Sequence, residues 1–237
     1  MRNTTAIAWK EIKTYFASPM AYIIIAVYAG LAAYYFVSSI SGVLPEASIR
    51  GFLIPSTLIF TLFAPVLTMR LLAEEQKLGT LELLMTAPLL DYEIVLGKFI
   101  AAIATLISTL VPTFYLVLLL FWFGSPDIGP IITGYFGFLL FGVASLSVGL
   151  FASSLSQNQI VSAVIAMGIL LLLSIIDMAA DYVGSGFVEI VLQMSLTHHF
   201  EDFSRGVIDT HDLVYYLIFT SFLLFITVRS LESRRWR

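Results

Sequence analysis

The residues of this chain best suited to chemistry lie close together in one polar stretch, which holds all three of its histidines. The set is His198, His199, Glu201, Asp202, His211 and Asp212. Imidazole and carboxylate groups bind zinc, and His198 and Asp202 would share one face of a helix. A catalytic zinc site needs three or four converging ligands, and no His-Glu-x-x-His pattern is present. We therefore predict that the histidines do not form a metal centre, and a metal-dependent intramembrane hydrolase stays an alternative function.

Nucleotide chemistry is not indicated by the sequence either. Gly97-Lys98 is followed by Phe99, and no glycine stands at the spacing that a phosphate-binding loop needs. The chain has no cysteine, which excludes disulfides and thiolate metal sites. We expect no catalytic residue, no metal and no cofactor in this chain, so any energy-requiring work would depend on another chain.

The elements that must position these residues are membrane spans. With 59% hydrophobic and 12% charged residues and a mean hydropathy of +0.96, the chain is too apolar for an ordinary soluble domain. We predict an all-α polytopic membrane protein whose residues 1–237 form a single domain. Six apolar runs reach the length of about 20 residues that a helix needs to cross the hydrocarbon core. They are Met20–Ile40, Phe52–Met69, Phe99–Phe123, Ile131–Ser153, Ile160–Ile176 and Leu213–Val228.

Three prolines fall inside these spans, at Pro55, Pro65 and Pro112. Neighbouring helices can satisfy the carbonyl that each proline frees, so kinks are expected there and not breaks. As bounded here, the spans contain no Asp, Glu, Lys, Arg or His. Pumps and ion-coupled transporters need such groups at membrane depth, which argues against a self-powered secondary transporter.

Residues 1–19 precede the first span and alternate apolar and charged side chains at helical spacing. We predict an amphipathic helix in the membrane interface with Trp9 at headgroup depth. A cleaved signal peptide is the competing interpretation. It fits less well, because bulky Tyr34, Tyr35 and Phe36 stand where a small-residue cleavage site belongs.

Basic residues are divided unequally between the two sides of the predicted membrane. Only Arg50 and Arg205, of the twelve Lys and Arg residues, fall on one side. The side with more Lys and Arg is cytoplasmic. Both termini and residues 70–98 are therefore predicted to be cytoplasmic.

Residues 70–98 form a long polar interruption between the second and third spans. Gly79 breaks the helix before it, and Thr80 can cap a new one by accepting a hydrogen bond from a backbone amide. Glu82 favours the positive end of that helix, and Pro88 stops it within about two turns. Asp91 begins the next helix.

The short helix predicted after Gly79 carries an apolar surface outside the membrane, made by Leu81, Leu83, Leu84 and Met85. This surface is best explained by docking on a partner. The alternative is an ordinary solvated loop, which the charges of Glu74, Glu75, Lys77 and Glu82 would suit.

Small residues recur every three or four positions along the fourth span, at Gly142, Ser145, Gly149, Ala152 and Ser156. Small side chains let helices approach closely in lipid, so we expect a packing seam within the subunit, with a seam to a partner or a transport path as the alternative. In the outer segment, Phe187–Met194 and Phe200–Val207 are predicted as two short re-entrant helices that fold back into the bundle.

Together these features resemble the permease subunits of type-2 ABC exporters, and among them the bacterial gliding-motility-type permeases. The resemblance is carried by Trp9-Lys10-Glu11, by Glu74-Glu75 to Pro88 with Gly79-Thr80-Leu81-Glu82, by His199-Phe200-Glu201 to Asp209, and by Leu231-Glu232-Ser233-Arg234-Arg235-Trp236.

The resemblance implies a transmembrane subunit that couples ATP hydrolysis by a separate ATPase chain to export across the bacterial cytoplasmic membrane. ATP and Mg would be bound by the ATPase, and a second six-span permease, the same chain or a paralogue, would complete the pathway. No nucleic acid is implied. A structural membrane anchor of a surface or motility machine is the alternative.

Residue roles follow from the same resemblance. The ATPase-coupling helix would include Glu74, Glu75, Gly79, Thr80, Glu82, Leu83, Leu84 and Pro88. The outer gate of the exporter would include His199, Phe200, Phe203 and Arg205. No charged pocket or aromatic cage in the spans indicates a substrate.

Overall fold

A computed structural model describes residues 2–41, 48–80, 89–178 and 187–235 of the chain. Within these ranges all regular secondary structure is helical. The helices are α1 Arg2–Ala17, α2 Pro19–Ile40, α3 Arg50–Thr68, α4 Arg70–Leu78, α5 Asp91–Leu110, α6 Phe114–Phe123, α7 Ile128–Leu155, α8 Gln159–Ile175, α9 Val188–Met194, α10 His198–Arg205 and α11 Thr210–Arg235.

Six helical stretches of the described residues are long and apolar enough to cross a membrane. They are Pro19–Ile40, Arg50–Leu78, Asp91–Phe123, Ile128–Leu155, Gln159–Met178 and Thr210–Ser233. The predicted all-α fold with six candidate spans is confirmed. The observed helices extend past several of the predicted ends, because polar residues at the bundle ends continue them.

The prolines behave in two ways. Pro55 and Pro65 lie inside α3, which runs through both of them. At Pro112 the α-helix gives way to a 3₁₀ turn, Val111–Thr113, before α6 begins. Proline has no N–H to continue the α-helical hydrogen bonds, and the tighter turn accommodates this loss. The helical span Asp91–Phe123 nevertheless runs through Pro112 without a break, as the prediction requires.

Polar side chains at several helix starts satisfy backbone amides. Ser18 accepts a hydrogen bond from the amide of Met20, and Pro19 occupies the first turn of α2, where its missing N–H costs nothing. Asp127 and Asn158 cap α7 and α8 in the same way. These caps place the chain reversals at the ends of the bundle.

Helix α7 is the centre of the bundle. It packs against α3, α5, α8, α10 and α11. In the most apolar 18-residue window of α7, 72% of the residues are buried. The same share is only 17–22% for the spans of α2, α8 and α11, so these three helices expose apolar faces. Aromatic rings join α7 to its neighbours, and Phe138 lies 5.7 Å from Phe60 and 6.0 Å from Phe200, centroid to centroid.

Candidate functional site

The described parts of the polar region, residues 70–80 and 89–98, lie at one end of the bundle. There α1 packs along α5, and α4 continues α3 beyond a one-residue break at Met69. Gly79 ends α4 in the left-handed conformation, with φ of 71°, as the predicted helix break requires. The predicted coupling residues Glu82, Leu83, Leu84 and Pro88, with Leu81 and Met85, lie outside the described residues. The described part of the site is the frame on either side of them.

A buried lysine joins the three helices of this frame. Lys98 of α5 is 1% exposed, and its Nζ lies 3.0 Å from Oε1 of Glu11 on α1 and 2.9 Å from Oε1 of Glu75 on α4. We call Lys98, Glu11 and Glu75 the ion cluster. Since a buried ammonium is costly unless it is paired and hydrogen-bonded, the three helices are held in one arrangement by it.

The neighbouring glycine explains how α1 comes close enough. A Cβ atom on Gly97 would lie 2.8 Å from the side chain of Ile7 and 3.0 Å from the carbonyl oxygen of Thr4. Only a residue without a side chain allows this approach, so Gly97 and Lys98 act as a pair in helix packing.

A cleft of about 300 Å³ opens beside the ion cluster and is lined by residues of α1, α4 and α5 and by Thr80. Oε1 of Glu75 also lies 3.9 Å from Nζ of Lys10. Oε2 of Glu75 has no hydrogen-bond partner among the described residues. The half-buried Glu74 also lines the cleft. Glu75 therefore faces the body of the protein, whereas Lys77 and Leu78 are exposed at the tip of α4.

Thr80 makes a contact that the sequence prediction did not include. Its hydroxyl donates to the carbonyl of Glu75 at 3.4 Å and so closes the end of α4. A role of the same side chain as cap of a following helix concerns residues 81–88, which are outside the described part of the chain. The described contact is typical of a threonine that satisfies a free carbonyl at a helix C-terminus.

Tyr15 attaches α1 to the end of α3. Its hydroxyl donates to the carbonyl of Leu67, and the guanidinium of Arg70 lies 5.5 Å from its ring centroid. Burial raises the pKa of Tyr15 well above its usual value, against the lowering effect of Arg70. The phenol therefore stays protonated and remains a donor at physiological pH.

Ser153 of α7 stabilises the break between α3 and α4. Its hydroxyl accepts from the amides of Leu72 and Ala73 at 3.1 and 3.0 Å and donates to the carbonyl of Met69 at 3.0 Å. The side chain of Gln76 adds hydrogen bonds to the carbonyls of Ser153 and Ser154. The start of α4 is thus bound to the central helix by polar contacts that the sequence prediction did not include.

The start of α5 is tied to the N-terminal end of α1. The carboxylate of Glu93 accepts hydrogen bonds from the side-chain amide of Asn3 at 3.1 Å and from the backbone amide of Leu90 at 3.3 Å. The prediction that α5 begins at Asp91 is confirmed. Both flanks of residues 81–88 are therefore anchored to α1.

The predicted small-residue seam of α7 faces helices of the same chain. A Cβ atom on Gly142 would lie 2.6 Å from the side chain of Leu106 on α5, and one on Gly149 would lie 2.0 Å from the hydroxyl of Thr68 on α3. Ser145 is fully buried between them. These three positions pack against helices of the same chain.

The predicted outer-gate residues lie at the opposite end. Two short helices are present, and α10 packs against α7, with His199, Phe200 and Phe203 buried. Arg205 points outward, with 59% of its side chain exposed, and pairs with Glu201 at 3.0 Å. Of the four predicted gate residues, His199, Phe200 and Phe203 are therefore buried, and Arg205 lies on the surface.

The fold separates the histidines and carboxylates that the sequence places in one polar stretch. His198 is exposed and does not meet Asp202, which lies 3.8 Å from Arg205. The structure instead brings His199 of α10 to Asp212 at the start of α11, with 2.6 Å between Nδ1 and Oδ1. His211 lies next to them, with 3.7 Å between its Nδ1 and the same oxygen.

Comparison with known proteins gives the family of this chain. The chain matches the description "ABC-2 family transporter protein" over residues 5–228. It belongs to the ABC-2 transporter family. As a member of that family, it is a multi-pass membrane protein of the ABC permease type, and such permeases are transport subunits and not enzymes.

Two curated proteins of Escherichia coli (strain K12) are similar to this ABC-2 chain. The probable multidrug ABC transporter permease YbhR is 28% identical over 117 residues, which is 48% of this chain and 31% of YbhR. The probable multidrug ABC transporter permease YbhS is 31% identical over 138 residues, which is 55% of this chain and 35% of YbhS. The matched region thus spans about a third of the length of each relative.

Proposed function

We propose that this chain is the membrane subunit of an ATP-driven exporter, in which a separate ATPase docks on residues 70–98 from the cytoplasm. The observation that carries the proposal is the ion cluster. It joins α1, α4 and α5 through buried charges at 2.9 and 3.0 Å, on both flanks of the segment that the sequence predicts to dock. The family membership supplies the context of an ABC permease.

The mechanism follows from this frame. A displacement of residues 81–88 by an ATPase is transmitted directly to α4 and α5, since these helices flank the segment on either side. Because α4 is bound to α7 through Ser153 and α5 to α1 through Lys98 and Glu93, the displacement moves the spans together and does not bend one of them. Rigid-body rocking of the bundle against a second six-span permease would then open the pathway alternately to each side.

In the proposed complex the ATPase binds ATP and Mg, and the permease pair consists of two copies of this chain or of this chain and a paralogue. The complex lies in the bacterial cytoplasmic membrane with both termini inside. The gate is at the opposite end, where Phe200 and Phe203 of α10 fill the space beside α7. The export direction is proposed from the resemblance to type-2 ABC exporters.

The experiment is co-purification of the tagged full-length chain from its native host, with identification of associated chains and measurement of ATP hydrolysis in liposomes. A few well-packed residues carry most of the binding energy of an interface, and a charge in the predicted apolar patch would disrupt its packing, so Leu84→Asp should release the ATPase. Glu82→Lys should do the same, because it reverses a charge beside the patch. Neither lies in a span, so membrane levels should stay normal.

Two control variants introduce the same charges at the other end of the bundle. Val207→Asp and Glu189→Lys change exposed residues of the outer segment and should leave the complex intact. A wild-type chain that brings no ATP-binding partner, or docking variants that behave like the controls, would contradict the proposal and favour a structural anchor.

A further inference from the structure

The outer end of the bundle contains a group of ligand atoms that the proposed transport function does not use. His199 of α10 and His211 and Asp212 of α11 each offer one atom, and these three atoms lie within 4.8 Å of one another. From their geometry we propose that His199, His211 and Asp212 bind one divalent transition-metal ion of the zinc class. The ion would clamp α10 to the start of α11.

The two nitrogens of His199 give the first argument. Nε2 lies 3.2 Å from the carbonyl oxygen of Gln193, which can only accept, so Nε2 carries the ring proton. In neutral imidazole Nδ1 then presents a lone pair, yet it faces Oδ1 of Asp212 at 2.6 Å. Two acceptors at this distance require a positive species between them, which is either a second proton or a metal ion.

The surroundings favour the metal ion over the proton. Asp212 is only 6% exposed, and its buried Oδ2 atom has no hydrogen-bond partner among the described residues. His211 brings a second imidazole to the same carboxylate, with Nδ1 at 3.7 Å. A second proton on His199 would give no partner to Oδ2 of Asp212 or to the imidazole of His211. One metal ion would instead bind the side chains of His199, His211 and Asp212 together.

The donor set fits zinc chemistry. Imidazole and carboxylate are zinc ligands, and three protein ligands leave a fourth position for water. Ligand atoms of a tetrahedral zinc site lie about 3.3 Å apart, so His199 and Asp212 would separate slightly and His211 would move closer. A metal-bound histidine usually donates its other N–H to a carbonyl, which is the contact that His199 makes with Gln193.

The proposed site is open to solvent on one side, and one of its ligands is held in place by its neighbours. The side chain of His211 is 62% exposed, so an ion can enter from solvent. His199 is held by stacking on Tyr215, whose ring centroid lies 3.8 Å away. The prediction of no metal centre rested on the ligand spacing along the sequence and on the missing His-Glu-x-x-His pattern. The fold instead brings His199 of α10 together with His211 and Asp212 of α11.

The test uses the full-length chain purified in detergent micelles through a tag without histidines, stripped with chelator and titrated with Zn²⁺ by calorimetry. We expect saturable binding of one Zn²⁺ per chain and a higher melting temperature when Zn²⁺ is present. His211→Ala, at an exposed side chain, and the isosteric Asp212→Asn should each weaken binding by about tenfold or more, since even outer-shell partners contribute tenfold.

The matched control is His198→Ala, which removes an exposed histidine next to His199 that is not part of the group. It should leave affinity and stoichiometry unchanged. The proposal is overturned if no saturable binding occurs, if binding survives His211→Ala, or if His198→Ala lowers affinity as much as His211→Ala does. It is also overturned if NMR shows both nitrogens of His199 protonated in excess Zn²⁺, since a proton then fills the gap.

Discussion

At the scale of single residues, the charge of Lys98 is compensated by two carboxylates that come from elements far apart in the sequence. Glu11 precedes the first span and Glu75 follows the second, yet both reach the same ammonium. The two carboxylates would repel each other without the lysine, so each of the three residues depends on the others. This dependence gives α1, α4 and α5 one preferred arrangement.

The prediction at this scale is that Lys98→Met destabilises the chain by about 3 kcal/mol, because two largely buried carboxylates lose their counter-ion. Thermal unfolding of the purified protein in detergent measures the effect. Adding Glu11→Gln and Glu75→Gln to the same chain should recover more than half of the loss, since the repulsion disappears.

Lys10 offers the matched control, because it is a lysine near the same Glu75 but its side chain is 66% exposed and 3.9 Å away. Lys10→Met should change stability by no more than about 0.5 kcal/mol. Equal effects of the two lysine substitutions, or a triple variant less stable than Lys98→Met, would show that the ion cluster does not couple the helices.

Several residues of the site could not be predicted from sequence, for a physical reason. Lys98 stands at the edge of an apolar run, where a basic residue is expected to face the headgroups, and only the crossing of α1 buries it. Ser153 belongs to a stretch rich in small residues, and its hydrogen bonds to α4 depend on a tertiary contact. Gly79 was predictable, since ending the helix depends only on the local backbone.

At the scale of elements, the outer helix α10 is held on α7 by close contact and by hydrogen bonds. Phe203 is fully buried over Gly137, and its carbonyl accepts a hydrogen bond from Thr133 at 2.8 Å. The side chain of Arg50 donates to the carbonyl of Ser204 at 2.8 Å. These contacts fix the C-terminal end of α10 on the bundle.

We predict that Gly137→Ala detaches α10 locally, because the added Cβ would lie 2.3 Å from the side chain of Phe203. The cost of overpacking is about 1–3 kcal/mol, which exceeds the gain of roughly 1 kcal/mol from replacing glycine in a helix. Hydrogen exchange of the amides in α10 should become about tenfold faster.

Gly168→Ala on α8 is the matched control, since a Cβ there meets nothing within 4 Å. It should leave exchange in α10 unchanged and leave stability equal or slightly higher. Unchanged exchange of α10 in Gly137→Ala would mean that Phe203 can shift at no cost and that α10 does not depend on this contact.

The element scale is also where sequence prediction succeeded most. The six spans follow from apolar runs of spanning length, and helices are present close to the two positions where short ones were predicted. The predicted bounds of α10, Phe200–Val207, were two residues late, because Gly206 ends the helix at φ of 95° and its start lies within the polar histidine pair. The second span was predicted to end at Met69, where the interruption between α3 and α4 lies, but the bounds of α4 were not predicted.

At the scale of the whole molecule, basic residues of the described part of the chain lie at two opposite ends of the bundle. Arg50 contacts Ser204, the neighbour of Arg205, so the two residues predicted outside lie at one end. Lys10, Arg70 and Lys98 line one cleft at the other end. The polar ends are thus chemically different, one with a dense group of cations and carboxylates and the other with the histidine-rich helices.

This asymmetry leads to the prediction that the loop between α6 and α7 is outside and the loop between α7 and α8 is inside. The two loops lie at opposite ends of α7, whose 28 residues span roughly 42 Å. Ser125 and Gln157 are exposed in these loops, and the chain has no native cysteine to interfere. In right-side-out vesicles an impermeant maleimide should label Ser125→Cys and leave Gln157→Cys unlabelled, and inside-out vesicles should give the reverse.

Both variants change exposed loop residues, so levels and stability should match the parent chain. Labelling of Gln157→Cys in right-side-out vesicles would place the Lys98 frame outside the cell, where no cytoplasmic ATPase could reach it, and would contradict the proposed function together with the topology.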